Sequence, residues 1–300
     1  MTSLWQAVES VAARFGDVDA RLLALALGLH VTNHALRSVA WRNVLAAAYP
    51  STQVPVLRVA SAYAVGVALN AVVPGRGGDA AKVALVRVGI GGSSVATIAS
   101  TMSVVVLFDL VAATLLLLAV CATGTIPFAP DLGQLPVIGA VATAVIALAM
   151  LARRRLASPL RRLWAAAQQG GAILRTPGRY LRRVAALQAG AWACRIAVIY
   201  LLMAGFGLPA TVPGAAVVMV LCGASTLVPL TPGGAGTQQV MLAFALSEAA
   251  TAAAVLSFSI GMQAGVTAVN ALLGVLAAMV TFRTLRPLAA VREGLRLARA

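Results

Sequence analysis

Acidic residues are almost missing from this chain: eight Asp and Glu stand among 300 residues, and charged residues of both signs make up only 10%. A soluble domain carries about a quarter of its residues charged, so this composition cannot supply a water-facing surface. The eight acids and two histidines show no metal-ligand spacing, and neither a metal nor a cofactor is expected. Cysteine is equally sparse. Cys121, Cys194 and Cys222 are odd in number and lie in apolar segments, where they pack as small hydrophobes rather than form a disulfide framework. A single lysine and twenty-two arginines bring the net charge to +15. They cluster between or after hydrophobic runs, a pattern that orients a membrane protein and speaks against a nucleic-acid partner. Hydrophobicity is what the chain has in excess. At 61% hydrophobic residues and a mean hydropathy of +0.93, it requires several membrane spans. No cleavable leader is expected, because the first arginine comes at position 14, after Glu9.

The pattern predicts an all-α, polytopic membrane protein in five parts. Residues 1–20 carry Leu4, Val8, Val11 and Phe15 at helical spacing and are expected to hold an interfacial helix. Residues 21–152 form a first membrane repeat, and 153–183 a basic loop with nine arginines and no acid. Residues 184–282 form a second repeat, and 283–300 a basic tail. The positive-inside rule puts the loop and the tail in the cytoplasm of a cell-membrane protein.

Two stretches interrupt the apolar runs. The first, Asn70 to Lys82, holds Pro74, Arg76, Asp79 and three glycines; the second holds Pro229, Pro232, Gly233, Gly234, Gly236 and Gln239. Proline and glycine break a helix, and broken backbone at membrane depth is tolerated only where protein or a water-filled cavity satisfies it. Each arm beside a break is shorter than the roughly 20 residues of a full span, so two re-entrant hairpins are expected. Setting Pro74 on Pro232 gives an offset of 158 residues, which places Gly78 on Gly236, Arg37 on Arg195 and Asp109 on Thr267. An odd number of crossings separates equivalent points, so the two repeats are expected to be inverted, an arrangement suited to alternating access.

The candidate site follows from charges inside these segments. His30, Asn33, His34 and Arg37 share one helical face, which should turn to the bundle interior because an intramembrane charge is costly against lipid. Arg37, Arg76, Lys82 and Arg195 give a cationic set, relieved by Asp79 and Asp109, with Asn70 beside them. An arginine or lysine of the first break is the expected partner of Asp109. Glycine-rich turns before short helices offer backbone N–H groups to an anion, and arginine's planar fork suits phosphate or carboxylate. Arg76, Asp79 and Lys82 could equally pair with one another to hold the break closed.

These residues carry a resemblance. Asn70, Pro74-x-Arg76 with Gly78-Asp79, Asp109 in the next helix, and Pro229 with Pro232-Gly233-Gly234-x-Gly236 make the chain similar to a flippase-like transmembrane family over roughly residues 20–282. That family is named after the membrane region of lysylphosphatidylglycerol synthetase. Asp79 and Gln239 stand where family members usually have Glu. The resemblance implies translocation of a lipid or lipid-linked substrate. The expected function is movement of an anionic phospholipid or polyprenyl-phosphate-linked lipid between leaflets. The alternative is a non-catalytic membrane subunit that anchors or feeds a partner synthase or another lipid- or glycan-modifying enzyme. Few acids and no nucleophile–base pair argue against an enzyme.

Overall fold

A computed structural model describes residues 14–72, 77–122, 158–225 and 236–282 of the chain. Every regular element among these residues is helical. Helix α1, Ala20–Ala48, starts where Asp19 accepts hydrogen bonds from the amides of Arg21 at 2.8 Å and Leu22 at 3.2 Å, and it ends before Pro50. Helices α2, Val56–Val72, and α3, Gly77–Gly89, flank the first break. Helix α4, Val95–Ala122, begins where Ser94 Oγ accepts from the amide of Thr97 at 3.0 Å. Helix α5, Ser158–Gly170, and helix α6, Pro177–Gly205, follow. Helices α7, Val212–Ser225, and α8, Thr237–Ala245, flank the second break, and α9, Ala252–Phe282, ends the described chain.

Helices α4, α6 and α9 are each long and apolar enough to cross a membrane. Helix α1 is as long, at 29 residues, but His30, Asn33, His34, Arg37 and Arg42 interrupt its apolar character. The arms of the breaks measure 17, 13, 14 and 9 residues, all short of a full span. On α4, Val106, Leu107, Leu110, Val111 and Leu115 stay exposed, the surface that a lipid-facing helix presents.

Two large apolar cores dominate the described residues, beside a small third of Val120, Ala216 and Val217. One gathers Trp41, Val44 and Leu45 of α1, Val59 and Val65 of α2, Val83 and Val86 of α3 and Ile98 and Val104 of α4. The other gathers Val198, Leu202 and Met203 of α6, Val218 of α7, Leu242 of α8 and Val255 and Phe258 of α9. They join where α1 lies along α6. The two helices run in opposite directions: the Asp19 amide meets the Gly205 carbonyl at 3.0 Å, and Asn43 Nδ2 donates to the Arg183 carbonyl at 2.8 Å. Gly190 faces Leu36 and Gly205 faces Leu22 along this seam.

The offset of 158 residues accounts for the element order. Shifted by it, α1, α2, α3 and α4 fall on α6, α7, α8 and α9, with ends agreeing within five residues. Two sequence expectations need correction. The basic region 153–183 contains α5, a 3-10 turn at Ala172–Arg175 and the first turns of α6 rather than a loop alone, because Leu160, Leu163, Trp164 and Ala167 recur at helical spacing beside its arginines. The first break is also shorter than Asn70 to Lys82. Helix α3 already includes Gly77, Gly78 and Asp79, with the acid in its first turn, where the helix dipole favours it. The interfacial helix of 1–20 falls mostly, and the basic tail wholly, outside the described residues.

Candidate functional site

Charge placed inside an apolar bundle must be paired, and the first half of the chain pairs its own. Arg37 on α1 meets Asp109 on α4: Nη1 donates to Oδ1 at 3.0 Å, and Nη2 donates to Oδ2. The two side chains are 14% and 24% exposed, so this is a desolvated, two-point pair of the kind arginine's fork favours. Arg37 Nε also donates to Tyr63 Oη at 2.8 Å, and Trp192 Nε1 of α6 donates to Asp109 Oδ1 at 2.9 Å. This corrects the expected partner of Asp109. The crossing of α4 over α1 brings Arg37 to it, and Lys82 is held elsewhere.

Lys82 Nζ donates to Asp79 Oδ1 at 2.8 Å, and Asn70 Nδ2 donates to the same oxygen at 3.2 Å. Asn70 Oδ1 in turn accepts from the Gly78 amide at 2.8 Å, tying α2 to the start of α3. Small residues make that approach feasible, since a Cβ on Gly78 would overlap the Gly66 carbonyl. Asp79, Lys82 and Asn70 thus tie α2 to the start of α3, while Arg76, the third member of the pairing that the sequence left open, lies outside the described residues. Lys82 Nζ also lies 4.7 Å from the centre of the Tyr63 ring, which links the hairpin to Arg37.

A histidine–asparagine cluster adjoins this network. His30 and His34 lie one turn apart with their Nε2 atoms 3.0 Å from each other, and Asn270 Oδ1 of α9 sits 2.9 Å and 2.8 Å from them. The His34 ring tilts against Tyr63 at 5.8 Å between centroids. Asn33 is buried beside it, and its Oδ1 has no partner among the described residues. In the second half, Gln239 Oε1 accepts from the Gly236 amide at 2.7 Å, and Gln239 Nε2 donates to Gln263 Oε1 at 2.7 Å. Gly236 takes φ of 86°, a conformation that glycine adopts without strain, and so sets the start of α8.

Arg195 differs from Arg37. It is half-buried on α6, its guanidinium 5.6 Å from the Trp192 ring centre, and among the described residues it makes no ion pair and no hydrogen bond. The charges of Arg37 and Asp109 both act on it. Its repeat equivalent to Asp109 is Thr267, which cannot neutralise it.

Arg37, Asp79, Lys82, Asp109, Asn70, Asn33, His34 and Arg195 are therefore brought together in one interior region, while Gly236 and Gln239 brace the second hairpin. Arg76, Gly233 and Gly234 lie outside the described residues. Sequence reasoning missed Tyr63, Trp192, Asn270 and Gln263. Trp192 was findable, because it precedes Arg195 by one helical turn; Asn270 was findable as an amide within the last apolar span.

An all-helical bundle with apolar outer faces, broken helices and a charged interior defines a polytopic membrane protein built around a polar centre. Within that class, the chain belongs to the family of the lysylphosphatidylglycerol synthase TM region, which it matches over residues 2–287. No curated protein and no solved structure matches it.

Proposed function

We propose that this protein moves the anionic head group of a lipid between the two leaflets of the cell membrane, as a transporter without catalytic chemistry of its own. One observation carries the reading: Arg195 stands half-buried in the bundle without an acidic or hydrogen-bonding partner among the described residues, beside an Arg37–Asp109 pair already satisfied. A buried charge without a partner is costly, so an anion that supplies one is held strongly relative to water. Membership of the lysylphosphatidylglycerol synthase TM region family favours a lipid as the bearer of that anion.

Inverted repeats supply the means. Helices α1 and α6 correspond under the 158-residue shift and pack antiparallel, as equivalent helices of inverted halves must. His34 and Trp192 are equivalent positions under the same shift. On this reading α2–α3 enters from the cytoplasmic side and α7–α8 from the outer side, with the basic region and tail cytoplasmic.

Proteoliposomes test it. Fluorescently head-labelled phosphatidylglycerol in both leaflets is quenched from outside with dithionite. Wild-type protein should let the inner half be lost, and Arg195→Gln should slow that loss about tenfold, as expected for one charge-assisted contact. A bare-liposome rate from folded wild-type protein would overturn the transport reading and favour a subunit that serves a partner enzyme.

A further inference from the structure

His30, His34 and Asn270 meet more closely than their own hydrogens can satisfy. The two Nε2 atoms are 3.0 Å apart, and Asn270 Oδ1 lies 2.9 Å from that of His30 and 2.8 Å from that of His34, so three polar atoms close a triangle. An imidazole Nε2 presents either a hydrogen or a lone pair, and an amide oxygen presents lone pairs only. Hydrogens on both rings set donor against donor across the His30–His34 side. A hydrogen on one ring alone leaves the other ring's lone pair against the oxygen. Turning the amide, so that its NH₂ takes the place of the oxygen, only changes which like groups meet. No arrangement of these hydrogens satisfies all three sides.

A shared cation does. Three lone pairs directed at one ion remove every contact of like with like, and the triangle has the matching size. Ligands on three adjacent corners of an octahedron, each about 2.0–2.1 Å from the ion, stand about 2.8–3.0 Å apart; tetrahedral ligands of that reach stand about 3.3–3.4 Å apart. The two rings meet at 79° with centroids 4.4 Å apart, so their nitrogens reach the ion from different directions. A spacing of four residues puts both rings on one face of α1, and α9 supplies the oxygen from 236 positions further along the chain. Two imidazoles and an amide oxygen suit a divalent first-row transition ion, not Mg²⁺ or Ca²⁺, which take oxygen ligands.

We propose that His30, His34 and Asn270 form a site for a divalent transition-metal ion, which clasps α1 of the first half to α9 of the second. The site goes beyond the transport reading and does not depend on it. It also has no twin: under the 158-residue shift its three residues correspond to Gln188, Trp192 and Ala112, of which an indole and a methyl cannot ligate. Cationic neighbours limit the affinity. Arg37 and Lys82 are paired with acids, but the charge of Arg195 acts on His30. The remaining corners of the octahedron therefore favour small anions over water, and a dissociation constant of order micromolar is expected rather than the far tighter hold of a closed structural zinc site.

Nickel binding by the intact, untagged protein in nanodiscs, stripped first with a chelator, tests the site. The chain has only these two histidines, so an imidazole signature reports this place alone. Calorimetric titration should give one Ni²⁺ per chain, and X-ray absorption at the nickel edge should show six light ligands, two of them imidazoles. His30→Gln and His34→Gln should each weaken binding at least about tenfold. Asn270→Asp, which puts a charged oxygen at the same point, should tighten it by about tenfold, a gain that misfolding cannot mimic. Mg²⁺ in excess should not compete. Undiminished binding in the double variant His30→Gln, His34→Gln, or sulfur ligands in place of imidazole, would put the ion elsewhere and overturn the site. Unchanged affinity in folded Asn270→Asp would overturn the clasp to α9, and no binding by folded wild-type protein at about 1 mM nickel would overturn the whole proposal.

Discussion

Replacing Asp109 by Asn tests the pair at the centre of the molecule. The change keeps the volume and an oxygen for Trp192, but it removes the charge and turns an amide donor toward the guanidinium that Oδ1 and Oδ2 now receive. Breaking a buried pair from one side costs about 3–5 kcal/mol, because the remaining charge is left desolvated. Asp109 keeps 24% of its side chain exposed and Arg37 14%, so some screening survives and the low end, about 3 kcal/mol, is the expected loss. At about 2–4 °C per kcal/mol for a chain of this order, the unfolding midpoint should fall by about 6–12 °C. The free thiols of Cys121, Cys194 and Cys222, all partly buried, give the readout through a thiol-reactive dye in a detergent melt. The double variant Arg37→Gln with Asp109→Asn removes both charges and should lose less than the sum of the single variants, by about 1.5–3 kcal/mol. A midpoint shift below about 2 °C in Asp109→Asn, or strict additivity in the cycle, would refute a desolvated, energetically coupled pair.

Two further outcomes are expected. Gly78→Ala should lower the folded fraction on size exclusion, by overpacking of about 1–3 kcal/mol, because its methyl would overlap the Gly66 backbone carbonyl, which cannot rotate away; Gly91→Ala, with nothing within 4 Å of the added Cβ, is the matched control and should behave as wild type. Leu110→Asp should reduce the membrane-integrated fraction, since the residue is 62% exposed on α4 and an unpaired acid at a span centre costs about 2.5–3.5 kcal/mol; unchanged integration would mean that this face of α4 does not meet lipid.

Hydropathy and punctuation made the elements legible. Pro50, the proline and glycines of the two breaks, and Gly91–Ser94 bound helices that the structure places within a few residues of where the sequence puts them. Pairing was harder to see. Asp109 had cations nearby in sequence, at Arg76, Lys82 and Arg87, yet its partner lies 72 positions away on α1. Only the crossing of two helices decides that, and no local pattern encodes a crossing. Tyr63 was missed for a related reason: a tyrosine in an apolar helix looks like packing until Arg37, Lys82 and His34 converge on it. In the basic region, dense arginine concealed a helical period carried by a few residues such as Leu163 and Trp164.

The two halves share a plan but not a charge, and the difference bears on turnover. Shifted by 158 residues, Asp79, Lys82 and Asp109 of the first half meet Thr237, Val240 and Thr267 of the second; of the interior ion-pair residues only the arginine, Arg37 and then Arg195, is kept. Among the described residues, Arg37 and Lys82 of the first half are thereby each paired with an acid, whereas Arg195 of the second is not. On the transport reading proposed above, the protein must bind its cargo firmly enough to draw it from one leaflet and loosely enough to release it into the other. Two free arginines would hold a phosphate by paired, bidentate contacts and slow its departure. One arginine contributes about 1.5–3 kcal/mol through charge-assisted bonds, a strength compatible with release on either side. On the transport reading, Asp109 does more than neutralise Arg37: it leaves Arg195 as the interior cation without an acidic partner among the described residues.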